Sequence, residues 1–152
     1  MGKMYNTLIT KGLYDQYNGQ NNMIVAVTGG RDFADKRVVN INLSAIHQFT
    51  PISWLVHGNA SGADTLAASW ASIRGIPLWP FDADWEDIDA PGAVIKKRKD
   101  GRLYNALAGH WRNIEMLDVA KPKLLLSFPG GRGTAHCTKE AIKRGMDVIY
   151  CR

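Results

Sequence analysis

At 152 residues, with 45% hydrophobic and 22% charged side chains, the chain has the size and balance of one globular domain that buries an ordinary core without cross-links. Its apolar runs fall far short of a membrane span and its N-terminus lacks the apolar core of a signal peptide, so a soluble cytoplasmic protein with no membrane partner is expected. Two cysteines, Cys137 and Cys151, fit no metal spacing and no disulfide framework, and the formal charge of +5 leans toward an anionic partner.

Residues 1–22 are polar, rich in Asn, Gln, Gly and Tyr, and read as an N-terminal extension, either a flexible tail or a short helix at 7–17. The domain proper, 23–152, opens with MIVAVT at 23–28, an apolar run without polar alternation, which is the pattern of a strand buried on both faces. Gly29-Gly30-Arg31-Asp32 follows, and Asp35 is the N-cap of a helix through Phe49 whose buried side is expected from Val38, Ile41, Leu43, Ala45, Ile46 and Phe49. A second strand at 52–56 leads into His57-Gly58-Asn59-Ala60-Ser61-Gly62-Ala63-Asp64, then a small-residue helix at 65–74 and a third strand at 76–81. Residues 82–104 break this rhythm. They carry acidic residues, Pro91-Gly92 and the basic run Lys96-Lys97-Arg98-Lys99, and are expected as a long functional loop. A helix over 105–120, with Leu107, Trp111, Ile114, Met116, Leu117 and Val119 toward the core, precedes the strand 123–127; a last helix and the strand 147–151 complete the chain.

Strands alternating with helices predict an α/β, Rossmann-like three-layer domain with a parallel five-stranded sheet in the order 3-2-1-4-5. The fourth strand ends in Phe128-Pro129-Gly130-Gly131-Arg132-Gly133-Thr134, where the glycines permit a sharp turn and Thr134 is placed to cap the helix that follows. A glycine turn feeding a helix N-terminus offers free N–H donors and the positive end of a dipole, which suits phosphate or carboxylate; a plain strand-to-helix turn is the simpler alternative. Three such turns, at Gly29–Gly30, Gly58–Gly62 and Gly130–Gly133, fall at the carboxyl ends of strands, where open sheets of this kind bind ligands.

The chain resembles the SLOG superfamily of Rossmann-like proteins, in its YspA/YpsA-related branch. The matching pieces are Val27-Thr28-Gly29-Gly30-Arg31-Asp32-Phe33, the His57–Asp64 turn, Ala83-Asp84-Trp85, Arg112-Asn113 and Pro129-Gly130-Gly131-Arg132-Gly133-Thr134. The resemblance implies a nucleotide or nucleotide-derived ligand, ADP-ribose-like or a nucleoside phosphate. Its binding residues would be Gly29, Gly30, Arg31 and Asp32 at the first turn, and Gly58, Asn59, Gly62, Ala63 and Asp64 at the second. Arg112 and Asn113 would join them, with Pro129, Gly130, Gly131, Arg132, Gly133 and Thr134 at the third. It also implies pairing into a homodimer. In the related lonely-guy phosphoribohydrolases a catalytic glutamate stands where this chain has Cys137, so the catalytic candidates are Asp64, for the acid/base role, and Glu140, three residues beyond Cys137.

Three functions compete. The first is a sensor or sequestering module that binds the nucleotide without turnover, with no cofactor and no metal. The second is an N-glycosidic hydrolase of nucleoside 5′-monophosphates. The third is a single-stranded nucleic-acid binder, the role of the related DNA-processing protein A group, supported here by net charge and the Lys96–Arg102 region. Individual side chains read more plainly. Cys137 is a small buried residue, Trp79 packs in the core, and Trp85, beside the long loop, is the aromatic to test for stacking on a base.

Overall fold

In a computed structural model describing residues 23–152, Met23–Thr28 forms β1 at the centre of the sheet. The expectations for residues 1–22 lie outside the described residues. After β1 come α1 (Lys36–Phe49), β2 (Ile52–His57), α2 (Ala63–Ile73), β3 (Leu78–Pro80), β4 (Ile95–Lys97), β5 (Leu103–Asn105), α3 (Ala108–Ala120), β6 (Leu124–Ser127), α4 (Arg132–Lys143) and β7 (Asp147–Tyr150). The main sheet is parallel throughout, in the order β3-β2-β1-β6-β7. This is the expected 3-2-1-4-5, with β6 and β7 as its fourth and fifth strands. Among the described residues no helix is long and apolar enough to cross a membrane.

Period-two alternation sends the side chains of β1 into two cores. Val25 and Val27 pack with Leu55, Leu124 and Leu126 against Val39 and Leu43 of α1 and Ala67, Trp70 and Ala71 of α2. Ile24 and Ala26 pack with Val56 and Leu125 against Met116, Leu117 and Ala120 of α3 and Cys137 and Ala141 of α4. Both faces are therefore covered, which is why the strands read as unbroken apolar runs. Asp35 caps α1 as expected, its Oδ1 accepting from the N–H groups of Arg37 and Val38 at 3.1 and 3.2 Å.

The buried stripe of α1 differs from the expectation. Val39 and Leu43 are buried, whereas Ile41 is 57% and Phe49 91% exposed, and Ala45 faces solvent. At 100° per residue, positions 39, 43 and 46 share one face and 41 and 45 lie around the far side, while Phe49 falls on the flank at the last residue of the helix. Trp111 on α3 is likewise exposed.

Residues 82–104 are not one loop. Ile95–Lys97 and Leu103–Asn105 pair as an antiparallel ribbon, Ile95 opposite Asn105, Lys96 opposite Tyr104 and Lys97 opposite Leu103. The turn is closed by bonds from Arg98 N–H to Arg102 C=O and from Gly101 N–H to Arg98 C=O, with Gly101 at φ +89°. Asp100-Gly101 is thus a hairpin signal, masked in the sequence by the charge run around it.

Candidate functional site

The turns after β1, β2 and β6 meet at the carboxyl edge of the sheet and hold one another in place. Gly30 donates its N–H to Pro129 C=O at 2.8 Å, and Gly30 C=O accepts from Ala63 at 3.1 Å. Gly29 is so close to Ala63 and Phe128 that a Cβ there would overlap both. Gly62, at φ +77°, presses on the backbone of Gly30 and Arg31. Some of the glycine content therefore serves turn-to-turn packing. What remains beside it is a cleft of about 290 Å³, floored by Val27, Thr28 and Met116 and walled by the three turns, α3 and Trp85.

Asp64 dominates its chemistry. The carboxylate is 5% exposed; Oδ2 accepts from the N–H groups of Gly58 at 3.1 Å and Ala60 at 3.3 Å, while Oδ1 is buried with no hydrogen-bond partner. Burial raises its pKa, opposed by the two N–H donors and by the guanidinium groups of Arg112 and Arg31. Arg112 donates from Nη1 to Gly58 C=O and from Nε to Asn113 Oδ1 at 3.0 Å. Because Oδ1 of Asn113 is taken by that donor, its Nδ2 points the other way, donating to Gly133 C=O and His136 Nδ1, both at 3.2 Å. Burial and the ring of His110, stacked at 3.9 Å, lower the pKa of His136, which keeps Nδ1 free to accept. The second turn is thereby tied through Arg112 and Asn113 to the start of α4. No side chain caps that helix, whose first N–H groups have no partners within it. The expected Thr134 cap is corrected: Gly131 is the N-cap and Thr134 lies inside the first turn, lining the cleft.

Of the residues singled out in the sequence, Gly29, Gly30, Arg31, Gly58, Asp64, Arg112, Asn113, Gly131, Gly133 and Thr134 line this cleft. Gly62, Ala63, Pro129 and Gly130 stand behind it as turn-to-turn supports. Asp32 and Arg132 are exposed, and Asn59 turns away to donate from Nδ2 to Asp82 Oδ1 at 2.7 Å. Glu140 is also outside, held by Arg144 and 3.8 Å from His136 Nε2. Arg144, which also binds Asp118, draws its pKa down and leaves it a structural ion-pair residue. Cys137 is fully buried and its thiol is pushed up to about 11 by burial, so it supplies neither carboxylate nor thiolate. The cleft gains Gly109 and Met116, which the sequence reading left out. Their signal was available, since 109, 112, 113 and 116 share one face of α3.

A buried carboxylate with one unpartnered oxygen, a guanidinium and an uncapped helix start are groups suited to a ligand that is anionic at one end and carries hydroxyls at the other. Among the described residues no cluster of three His, Cys, Asp or Glu is arranged to hold a metal.

Comparisons with known proteins agree with this architecture. Residues 23–87 match the model of the YspA, cpYpsA-related SLOG family, a span that holds the first two turns and Trp85. The Gene 61 protein of Mycobacterium phage D29 is 35% identical over 133 residues, covering 82% of this chain and 93% of that protein. Among solved structures, DNA processing protein A (DprA) from Streptococcus pneumoniae superposes with a TM-score of 0.61 at 18% identity, over 85% of this chain. The chain spans about half (50%) of DprA, and that likeness concerns the fold. With the family model on its first two turns and a phage protein alike over nearly its whole length, the chain belongs to the YspA, cpYpsA-related SLOG family.

Proposed function

We propose that the cleft binds a nucleoside phosphate. The phosphate sits at the first turn of α4 with Arg112 and Arg31, a ribose hydroxyl donates to Asp64 Oδ1, and the base lies toward Trp85. The observation that carries this reading is Asp64, a buried carboxylate on the lining of the cleft whose Oδ1 has no hydrogen-bond partner, beside a guanidinium and an uncapped helix start. An orphaned acceptor in such a place costs stability, and a ligand hydroxyl satisfies it. The volume of about 290 Å³ is at the small end of ligand pockets, which run from about 300 to 1,000 Å³, and favours a mononucleotide over a dinucleotide or ADP-ribose.

The test is a thermal-shift series across nucleoside mono-, di- and triphosphates, NAD and ADP-ribose. Stabilisation is expected with a monophosphate, growing with the logarithm of its concentration. A protein indifferent to all of them, at concentrations well above physiological, overturns the reading. The raised pKa of Asp64 supports a second reading, in which the same residue exchanges a proton during N-glycosidic hydrolysis. Chromatography for released base separates the two, and with Glu140 outside the cleft Asp64 is the carboxylate on which that chemistry depends.

A further inference from the structure

The β4–β5 ribbon is the part of the molecule that the cleft does not explain. Residues 95–103 are exposed along both strands and the turn, and residues 95–105 carry five cations, Lys96, Lys97, Arg98, Lys99 and Arg102, against a single carboxylate, Asp100. Register sorts them. Lys96 stands opposite Tyr104, and the bond from Arg98 N–H to Arg102 C=O extends the ladder by two residues, so Lys96, Arg98, Arg102 and Tyr104 share one face. Ile95, Lys97 and Leu103 take the other.

The first face leads to the cleft. The Arg98 guanidinium lies 4.8 Å above the Tyr104 ring, Tyr104 is 6.4 Å from Trp85, and the Arg31 guanidinium lies 4.9 Å from the far end of this row, over Trp85. Trp85 is itself seated on bare backbone, since a Cβ at Gly109 would come within 2.8 Å of its ring. Asn105, buried to 1% exposure, anchors the ribbon there by donating its N–H to Trp85 C=O at 2.7 Å. Cation, ring, ring and cation thus alternate from the mouth of the cleft out along the ribbon.

We propose that this face is a track for single-stranded nucleic acid, entering the cleft at Trp85 and running out over Tyr104. Two rings supply stacking that any base can use, and Lys96, Arg98 and Arg31 supply charge for the phosphates between them. Each guanidinium covers a ring in the free protein; on binding, a base takes the ring and the guanidinium turns to the adjoining phosphate. A duplex, its bases already stacked on one another, gains nothing from Trp85 and Tyr104. The proposal rests on the nucleotide reading of the cleft only at Trp85 and Arg31.

The test is fluorescence anisotropy with a labelled oligodeoxythymidylate of about 12 nucleotides, within the range one small binding fold occupies, titrated at several salt concentrations. Binding with a steep salt dependence is expected. Lys96→Ala with Arg98→Ala should flatten the slope of log K against log salt by about 1.4, or about 0.7 for each lost phosphate contact. Tyr104→Ala should weaken binding at least about fivefold, and Lys97→Ala, on the other face, should leave the slope unchanged. Absence of oligonucleotide binding, an equal loss from Lys97→Ala, or equal affinity for a duplex of the same length each overturns the track. The Lys96/Arg98 variant is also tested for the mononucleotide thermal shift. A retained shift with lost oligonucleotide binding supports the track. An oligonucleotide bound through the ribbon by a protein that no mononucleotide stabilises sinks the cleft reading and leaves the track standing.

Discussion

Asp64 reaches back across the second turn to Gly58, its Oδ2 accepting the Gly58 N–H at 3.1 Å, and leaves Oδ1 buried without a partner. One oxygen of the carboxylate thus builds the turn, while the other is left without a hydrogen bond in a residue that lines the cleft. Burial raises its pKa, so the ionised carboxylate is held at a cost to stability.

The sign follows from proton counting. An acid whose pKa is raised by folding holds its proton longer in the folded chain than in the unfolded one, where an aspartate titrates near about 3.9. The contribution of Asp64 to stability is therefore most favourable below that pH and declines as the pH rises through its folded pKa. Asp64→Asn removes this decline while keeping an oxygen for the Gly58 and Ala60 N–H groups. The variant should melt above the wild type at pH 7, by about 2–4 °C for each kcal/mol recovered, and the gap should close toward pH 4. Its affinity for a nucleoside monophosphate should fall. Calorimetric melting curves from pH 4 to 8 check this, and a variant less stable than wild type at pH 7 contradicts it.

Arg112→Lys tests the bridge between the second turn and α4. The planar guanidinium reaches Gly58 C=O with one nitrogen and Asn113 Oδ1 with another, a fork that a single ammonium does not reproduce. Loss of one charge-assisted hydrogen bond should lower unfolding stability by about 1.5–3 kcal/mol in urea titrations. Because Asn113 then loses the donor that sets its amide, the start of α4 loosens too, and mononucleotide affinity should fall more than tenfold. Unchanged affinity would remove Arg112 from the anion site.

Gly133→Leu separates the fold from the site. A Cβ at Gly133 meets nothing within 4 Å, and the residue lies in the first turn of α4 on the lining of the cleft. Leucine is a better helix former than glycine by about 0.8 kcal/mol, so the melting temperature should hold or rise. The side chain should enter the cleft and abolish the thermal shift given by the monophosphate. Retained binding in a stable variant would show that the ligand lies elsewhere.

The sheet order and the meeting of three turns were legible because each rests on short-range signals: apolar runs long enough only for strands, and glycines directly after them. What escaped depended on direction or on contacts between distant segments. Val39 rather than Ile41 faces the core because of angular position on α1, and Asn59 leaves the cleft because Asp82, 23 residues on, offers it an acceptor. Glu140 is drawn away by Arg144 at the end of its own helix, an i, i+4 pairing visible in the sequence. The ribbon was hidden for a different reason. Its alternation is carried by Lys96, Arg98, Arg102 and Tyr104, and a pattern of cations reads as a solvated loop until the pairing places them on one face.

Cys137 stands where the related hydrolases carry a carboxylate, and its surroundings predict inertness. It is fully buried, packed with Ile24, Leu125 and Ala141 in the core beneath the cleft, and burial pushes the thiol up to about 11. At pH 8 the thiolate that reacts with disulfide reagents is therefore scarce as well as inaccessible. Titration with an aromatic disulfide reagent should leave Cys137 unmodified in the native protein and label it at once in denaturant, with peptide mapping to separate it from Cys151. Cys137→Ser should cost about 1–3 kcal/mol of stability, because a hydroxyl replaces a thiol in an apolar shell, with mononucleotide affinity unchanged. Rapid native labelling at Cys137, suppressed by a nucleotide, would instead make the thiol part of the site.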